Sequence, residues 1–101
     1  MKRHEREQQL LGIAADLAES IGYARVTREA VAARAGVSPA VVNFRFGTMA
    51  VFKRHLMRFA IRNERLPVIA QGLAVRDPHA RRAPDDVRQR AIAYLTGGGR
   101  V

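Results

Sequence analysis

The stretch that decides the fold is residues 27–48, TREAVAARAGVSPAVVNFRFGT, which contains one short helical pattern on each side of Gly36. A helix-turn-helix needs a small residue where its two helices approach closely and a turn backbone that accepts positive φ. It also needs an apolar residue that holds the second helix against the first. Ala32, Gly36 and Val42 meet these three needs in that order. The stretch therefore predicts a helix-turn-helix.

Capping residues predict where these helices begin. Thr27 suits the N-cap of a second helix over residues 28–35, and Ser38 followed by Pro39 suits the start of a third helix over residues 39–45. The expected buried positions of the two helices and their turn are Val31, Ala32, Ala35, Val37, Val42 and Phe46. The side chains expected to point outward from the third helix are Pro39, Ala40, Val41, Asn43, Phe44 and Arg45.

Helical periodicity continues on both sides of this motif. A first helix is predicted over residues 5–21 and ends at Gly22, with an inner stripe of Leu10, Ile13, Ala14, Leu17 and Ile21. Gly47 breaks the third helix, and Thr48 is expected to cap a fourth over residues 49–65 with an inner stripe of Phe52, Leu56 and Phe59.

The C-terminal part gives weaker signals. Pro67 either kinks the fourth helix or begins a short one over residues 67–75, which Gly72 would destabilise by roughly 1 kcal/mol relative to Ala. Residues 76–83 are predicted to form a loop. A last helix is predicted over residues 84–96, with Pro84 at its first position, Val87, Ala91, Tyr94 and Leu95 on one face, and three glycines at its end, Gly97, Gly98 and Gly99.

The expected fold class is all-α, with a homeodomain-like three-helix core and two or three additional C-terminal helices. The expected domains are a helix-turn-helix domain over residues 1–65 and a helical extension over residues 66–101. A chain of 101 residues has room for one small domain with an extension.

Charge points to a polyanionic partner. Eighteen Lys and Arg residues against nine Asp and Glu give a formal net charge of +9, and all the cations except Lys2 and Lys53 are Arg. Arginine presents a planar fork of donors that suits phosphates and base edges. The alternative is that these arginines only form solvated faces. No apolar stretch approaches the length of a bilayer span and no secretory signal is visible, so we expect a cytoplasmic, nucleoid-associated protein.

Catalysis and metal binding are not expected. The chain has no Cys, and its histidines, His4, His55 and His79, lie in three different segments without metal-ligand spacing. No catalytic triad, carboxylate pair or glycine-rich phosphate loop is present, and Asp85 with Asp86 suit the first turn of a helix. We therefore expect no enzymatic activity, no metal and no cofactor.

Residues 19–56, ESIGYARVTREAVAARAGVSPAVVNFRFGTMAVFKRHL, carry a familiar set of landmarks: Gly22-Tyr23, Thr27, Ala35-Gly36-Val37-Ser38 and Phe46-Gly47-Thr48. In this order they resemble the N-terminal DNA-binding domain of the tetracycline-repressor (TetR) family, and the resemblance runs from about Arg6 to Leu56, about half of the chain. Members of that family usually have Tyr at the position of Asn43 and Lys at that of Met49, both touching phosphates. We therefore expect Arg45 and Lys53 to take over the phosphate contacts.

The resemblance and the outward side chains together predict a set of DNA-binding residues: Thr27, Arg28, Ser38, Pro39, Ala40, Val41, Asn43, Phe44, Arg45, Thr48 and Lys53. Thr27 and Arg28 are expected at backbone phosphate. The small apolar residues at the start of the third helix suit thymine methyls, and Asn43 suits either adenine or phosphate. Phe44 suits contact with a sugar or a methyl group, or packing on the first helix.

The expected function is sequence-specific binding of double-stranded DNA as a transcriptional regulator, most simply a repressor, with residues 39–45 in the major groove. The alternative is a protein-interaction module on the same scaffold, acting as a co-regulator or anti-repressor. A basic amphipathic protein that binds RNA or a membrane surface is a third reading, which the absence of a large spare apolar face disfavours. A palindromic operator and a homodimer formed by the C-terminal segment are expected. Members of the resembled family carry a ligand-binding domain of more than a hundred residues after the fourth helix, whereas only about thirty-five residues follow Arg65. No small-molecule inducer is therefore expected.

Overall fold

The computed structural model describes residues 2–96, and every regular element in that range is helical. A 3₁₀ turn, Tyr23–Arg25, follows the first helix. The seven α-helices are α1 (Arg3–Ile21), α2 (Arg28–Ala35), α3 (Pro39–Phe46), α4 (Met49–Arg62), α5 (Leu66–Ala74), α6 (Pro78–Arg81) and α7 (Asp85–Leu95). The predicted all-α fold class is confirmed.

The chain divides into two compact units, Met1–Leu56 and Met57–Val101, and the division falls within α4. In the first unit, α1 packs on α2 and α2 packs on α3, which makes the expected three-helix core. In the second, α5 packs on α7 and α6 packs on α5. The assignment of residues 1–65 and 66–101 to a DNA-binding domain and an extension remains a prediction.

Local signals placed most helix boundaries well. Gly22, Gly36 and Gly47 all have positive φ, as the predicted helix ends require. The final helix ends at Leu95, and the three glycines that were predicted to stop it lie outside the described residues.

The boundaries that differ from the prediction include three in the second half of the chain. The predicted loop over residues 76–83 contains α6, because Oδ1 of Asp77 accepts hydrogen bonds from the backbone N–H groups of His79 and Ala80 and Pro78 occupies the first turn. α4 ends at Arg62 rather than residue 65, and Glu64 beyond it has a φ of 50°. Pro84 is the N-cap of α7 and not its first helical residue.

Some predicted inner stripes are rotated. In α1, Ile13 is half-buried and Ile21 is exposed at the end of the helix, while Leu11, Ala15 and Ala18 are buried. In α4, Phe59 is half-buried because Ala60 continues the row of Phe52 and Leu56 at four-residue intervals. In α7, Val87 and Ala91 are buried, whereas Tyr94 and Leu95 were predicted to share their face and are 42% and 50% exposed.

The occurrence of glycine at position 72, inside α5, is explained by packing and not by helix propensity. It is buried in α5, and a Cβ added there would overlap with Cε of Met57 and lie 3.0 Å from Cβ of Ala80. A side chain at this position would therefore require the end of the Met57 side chain to move.

Within residues 2–96, no helix combines the length and the apolar character needed to cross a bilayer.

Candidate nucleic-acid interface

The turn between α2 and α3 has the backbone geometry that the motif requires. Gly36 adopts the left-handed conformation, with φ 72° and ψ 30°, and its N–H donates to the carbonyl groups of Ala32 and Ala33. The N–H of Val37 reaches back to the carbonyl of Ala32 at 3.0 Å. This is the Schellman arrangement, in which a glycine ends one helix and turns the chain sharply toward the next.

Burial fixes which side of α3 faces inward. Val42 and Phe46 are 1% and 4% exposed, as predicted, and the ring of Phe46 lies 5.0 Å from that of Phe52 on α4 and 5.5 Å from that of His55. The first turn of α4 is held by Thr48, whose Oγ1 accepts a hydrogen bond from the N–H of Val51 at 3.3 Å. α3 is thus anchored by one side and leaves the other side accessible.

The accessible side of α3 carries small apolar groups, an amide and an aromatic ring. Pro39, Ala40 and Asn43 are exposed. The side chain of Phe44 is 87% exposed, which is unusual for a large apolar residue. No acidic side chain occurs on this helix. Such a surface suits the edges of base pairs and their methyl groups in a major groove.

Residues 10–52 match the family model described as bacterial regulatory proteins, tetR family. This segment is a tetR-family DNA-binding domain. The match covers less than half of the 101-residue chain. Members of the family are DNA-binding transcription regulators. Comparisons with curated proteins and with solved structures found no match.

In the tetR-family domain, the two residues at the start of α2 differ in whether their side chains bond within the fold. Thr27 is exposed and caps the helix, with Oγ1 accepting from the N–H of Ala30 at 3.1 Å. Arg28 is half-buried and has no hydrogen bond or ion pair with any residue between 2 and 96. Thr27 therefore has its oxygen engaged within the fold, while the guanidinium of Arg28 remains available to a phosphate.

Three of the proposed contact residues differ from the expectation, and a fourth, Thr48, forms its expected cap. Ser38 lies at the N-cap position of α3 and is exposed, but its side chain makes no capping hydrogen bond. Val41 and Arg45 were predicted to point outward and are half-buried, and Nε of Arg45 is buried without an acceptor in the described part of the chain. Thr48 is exposed and engaged as a cap.

Lys53 has a structural partner that the sequence did not suggest. Its Nζ donates to the backbone carbonyl of Tyr23 at 2.6 Å and lies 4.4 Å from the centre of the Tyr23 ring. The expected phosphate contact by Lys53 would compete with this interaction.

Arg34 and Arg54 were absent from the predicted set. Both are exposed, and neither has a hydrogen bond or ion pair within residues 2–96. The signal that could have found them is the charge pattern: from residue 30 to residue 56 the chain has four cations, Arg34, Arg45, Lys53 and Arg54, and no carboxylate. An acid-free basic stretch of this kind is typical of a surface that faces phosphate.

No group of three or more metal-ligating side chains comes together in the described range, residues 2–96.

Proposed function

We propose that this chain binds duplex DNA sequence-specifically, with α3 in the major groove, and acts as a transcriptional repressor. The observation that carries the proposal is the exposed face of α3, in which Asn43 and the 87% exposed Phe44 stand beside small apolar residues on a helix anchored by Val42 and Phe46. An exposed aromatic ring that adjoins small apolar residues and an amide forms a mixed surface that a partner can cover.

The composition of that face indicates which bases it would read. Pro39 and Ala40 offer methylene and methyl surfaces that fit the C5 methyl group of thymine, and the amide of Asn43 fits N6 and N7 of adenine. α3 carries a single arginine, the half-buried Arg45, for the acceptor edge of guanine. We therefore infer an operator half-site rich in A·T pairs.

Phosphate contacts would come from the ends of neighbouring elements. Arg28 at the start of α2 and Arg45 near the end of α3 are the predicted donors that remain free of ion pairs in the described chain, and Arg54 extends the set. These contacts would contribute affinity for any duplex and a strong dependence on salt.

A homodimer would supply two half-sites. Residues exposed in the second unit include Val75 at 60%, Ile92 at 49% and Leu95 at 50%. Val75 follows the end of α5, and Leu95 is the last residue of α7. Because these two side chains are poorly covered by the chain itself, we infer that a second copy covers them and sets two α3 helices about 34–36 Å apart on a palindromic site.

The experiment is selection of duplexes from a random library by the purified full chain, followed by affinity measurements on the selected site and on scrambled DNA over a range of salt. A ratio of about 10³ or more between the two affinities is expected for a specific regulator. Transcription from a promoter that overlaps the selected site should fall when the protein is added, and occupancy of chromosomal sites would place the protein in the bacterial cytoplasm on the nucleoid.

Two exposed positions provide matched variants. Phe44→Ala and Asn43→Ala should weaken binding to the selected site while leaving the fold intact, and Gln89→Ala on α7 is the control. A specificity ratio near one, with equal salt dependence on both DNAs, would contradict the proposal. Binding to another protein in the absence of specific DNA binding would favour the interaction-module alternative.

A further inference from the structure

The second unit contains a surface pocket of about 390 Å³ that the DNA-binding proposal does not use. It lies where the end of α5, the α6 turn and α7 meet, and this volume is within the range of small-molecule sites. The residues that line it are Leu73, Arg76, Arg81, Arg88 and Ile92. Three of the five are arginines, and the other two are apolar.

The charge of the pocket is only partly balanced by the protein. Asp85 forms an ion pair with Arg88, so one carboxylate accompanies the three arginines of the pocket. The guanidinium groups of Arg76 and Arg81 make no hydrogen bond or ion pair with any residue from 2 to 96. Two guanidinium groups at one pocket without a carboxylate of their own favour an anionic ligand there.

Arg88 adds a buried donor to the same pocket. Its Nη1 donates to the backbone carbonyl of Arg81 at 3.3 Å, and its Nη2 donates to Oδ1 of Asp85. Its Nε is buried and has no acceptor among the described residues. A buried N–H without an acceptor is costly, and an oxygen from a bound ligand would remove that cost.

The backbone at Arg76 is also unusual. Arg76 has a φ of 60°, and the N–H of the next residue, Asp77, donates to the carbonyl of Gly72 at 2.8 Å. This arrangement ends α5 in a Schellman motif, and glycine is the usual residue at its left-handed position. A side chain at this position costs backbone strain, and strained positions are enriched at functional sites.

We propose that this pocket binds a small organic carboxylate. The carboxylate lies between Arg76 and Arg81, where a planar guanidinium can donate two parallel hydrogen bonds, and Arg88 contributes a third positive charge to the lining. A short hydrocarbon body lies against Leu73 and Ile92, which explains why apolar side chains line a site with three cations.

The test is titration of the full chain with hexanoate, without DNA, followed by calorimetry and by backbone NMR shifts. Two reference probes separate the parts of the ligand: 1-hexanol has the hydrocarbon without the charge, and inorganic phosphate has the charge without the hydrocarbon. We expect saturable hexanoate binding that perturbs residues 73–92, with both reference probes binding at least about tenfold more weakly.

Variants locate the site. Arg81→Gln and Arg76→Gln should each weaken hexanoate binding about tenfold or more, because each removes a charge-assisted pair of hydrogen bonds. Arg82→Gln is the matched control: Arg82 is exposed and adjacent in sequence but does not line this pocket, so its loss should leave hexanoate affinity within about twofold. Circular dichroism should show the same helical content in all three variants.

Three results would overturn the proposal: no saturable binding of hexanoate, equal affinity for phosphate and hexanoate, or equal losses in Arg81→Gln and Arg82→Gln. Each of these readouts is obtained without DNA, so the proposed function of the first unit can fail or succeed independently.

Discussion

Lys53 and Tyr23, thirty residues apart in sequence, form reciprocal hydrogen bonds in which each side chain donates to the backbone carbonyl of the other residue. Nζ of Lys53 donates to the backbone carbonyl of Tyr23 at 2.6 Å, and the hydroxyl of Tyr23 donates to the backbone carbonyl of Lys53 at 3.4 Å. The ammonium group also lies 4.4 Å from the centre of the Tyr23 ring, which is 5% exposed. The pair therefore ties the 3₁₀ turn after α1 to α4 within the first unit.

We expect Lys53→Met to lower the free energy of unfolding by about 1–3 kcal/mol, because it removes a charge-assisted hydrogen bond and a cation–π contact while keeping the aliphatic stem. Arg54→Gln, at the neighbouring exposed position, should change stability by less than about 0.5 kcal/mol. Urea denaturation checks both. Equal stability of the two variants would show that the Lys53–Tyr23 pair contributes nothing measurable.

Asn43 and Arg45 should act differently on DNA. Asn43→Ala is expected to cost about 1–3 kcal/mol on the selected site and little on random duplex, because an amide that reads a base edge distinguishes sequences. Arg45→Ala should weaken binding to both DNAs and reduce the salt slope by about one, as loss of a phosphate contact does. Affinity measured at four or five salt concentrations separates them.

The control for this pair is stability, since Arg45 is half-buried and Asn43 is exposed. Arg45→Ala is expected to lose some packing of its stem as well as its charge, whereas Asn43→Ala should remain within about 0.5 kcal/mol of the parent. If both variants weaken random duplex equally, the assignment of Asn43 to base reading is wrong.

Gly72→Ala should destabilise the chain by about 1–3 kcal/mol, despite the higher helix propensity of alanine. The added Cβ would overlap with Met57, which is fully buried, and lie 3.0 Å from Cβ of Ala80. A double-mutant cycle with Met57→Ala tests this cause, since the cost of Gly72→Ala should fall once the Met57 side chain is removed. An equal cost in both backgrounds would contradict it.

Arg76→Gly should raise the free energy of unfolding by about 0.5–1 kcal/mol, because glycine adopts the left-handed conformation at position 76 without the strain of a side chain. Arg76→Ala removes the same guanidinium but keeps a Cβ, so it should bring no such gain. Thermal denaturation of both variants is the measurement, and equal stabilities would show that the backbone at this position is not strained.

Leu95→Glu should shift the proposed dimer toward monomer, because a carboxylate would be buried without a partner in the interface. Ala93→Glu is the matched control: it introduces the same charge at an exposed position two residues away, on nearly the opposite side of α7. Sedimentation at micromolar concentration is the measurement. A parent chain that is monomeric both free and on a palindromic site would rule out the dimer.

Predictions from local sequence succeeded where the physical cause is local. Thr27, Gly36 and Thr48 were placed correctly because a cap or a left-handed turn is determined by hydrogen bonds within a few residues. The missed helix α6 had a local signal as well, in Asp77 followed by Pro78, which is a favourable start for a helix.

What the sequence determined by itself was the all-α class, the helix-turn-helix and the basic character of the chain, because periodicity, capping and net charge are properties of neighbouring residues. Only the tertiary structure decided that Lys53 binds Tyr23, that Gly72 leaves room for Met57, and that Arg76 and Arg81 line one pocket. These relationships join residues that the chain brings together from separate helices. Distances between separate helices depend on how buried surfaces fit together, and no short window of sequence contains that information.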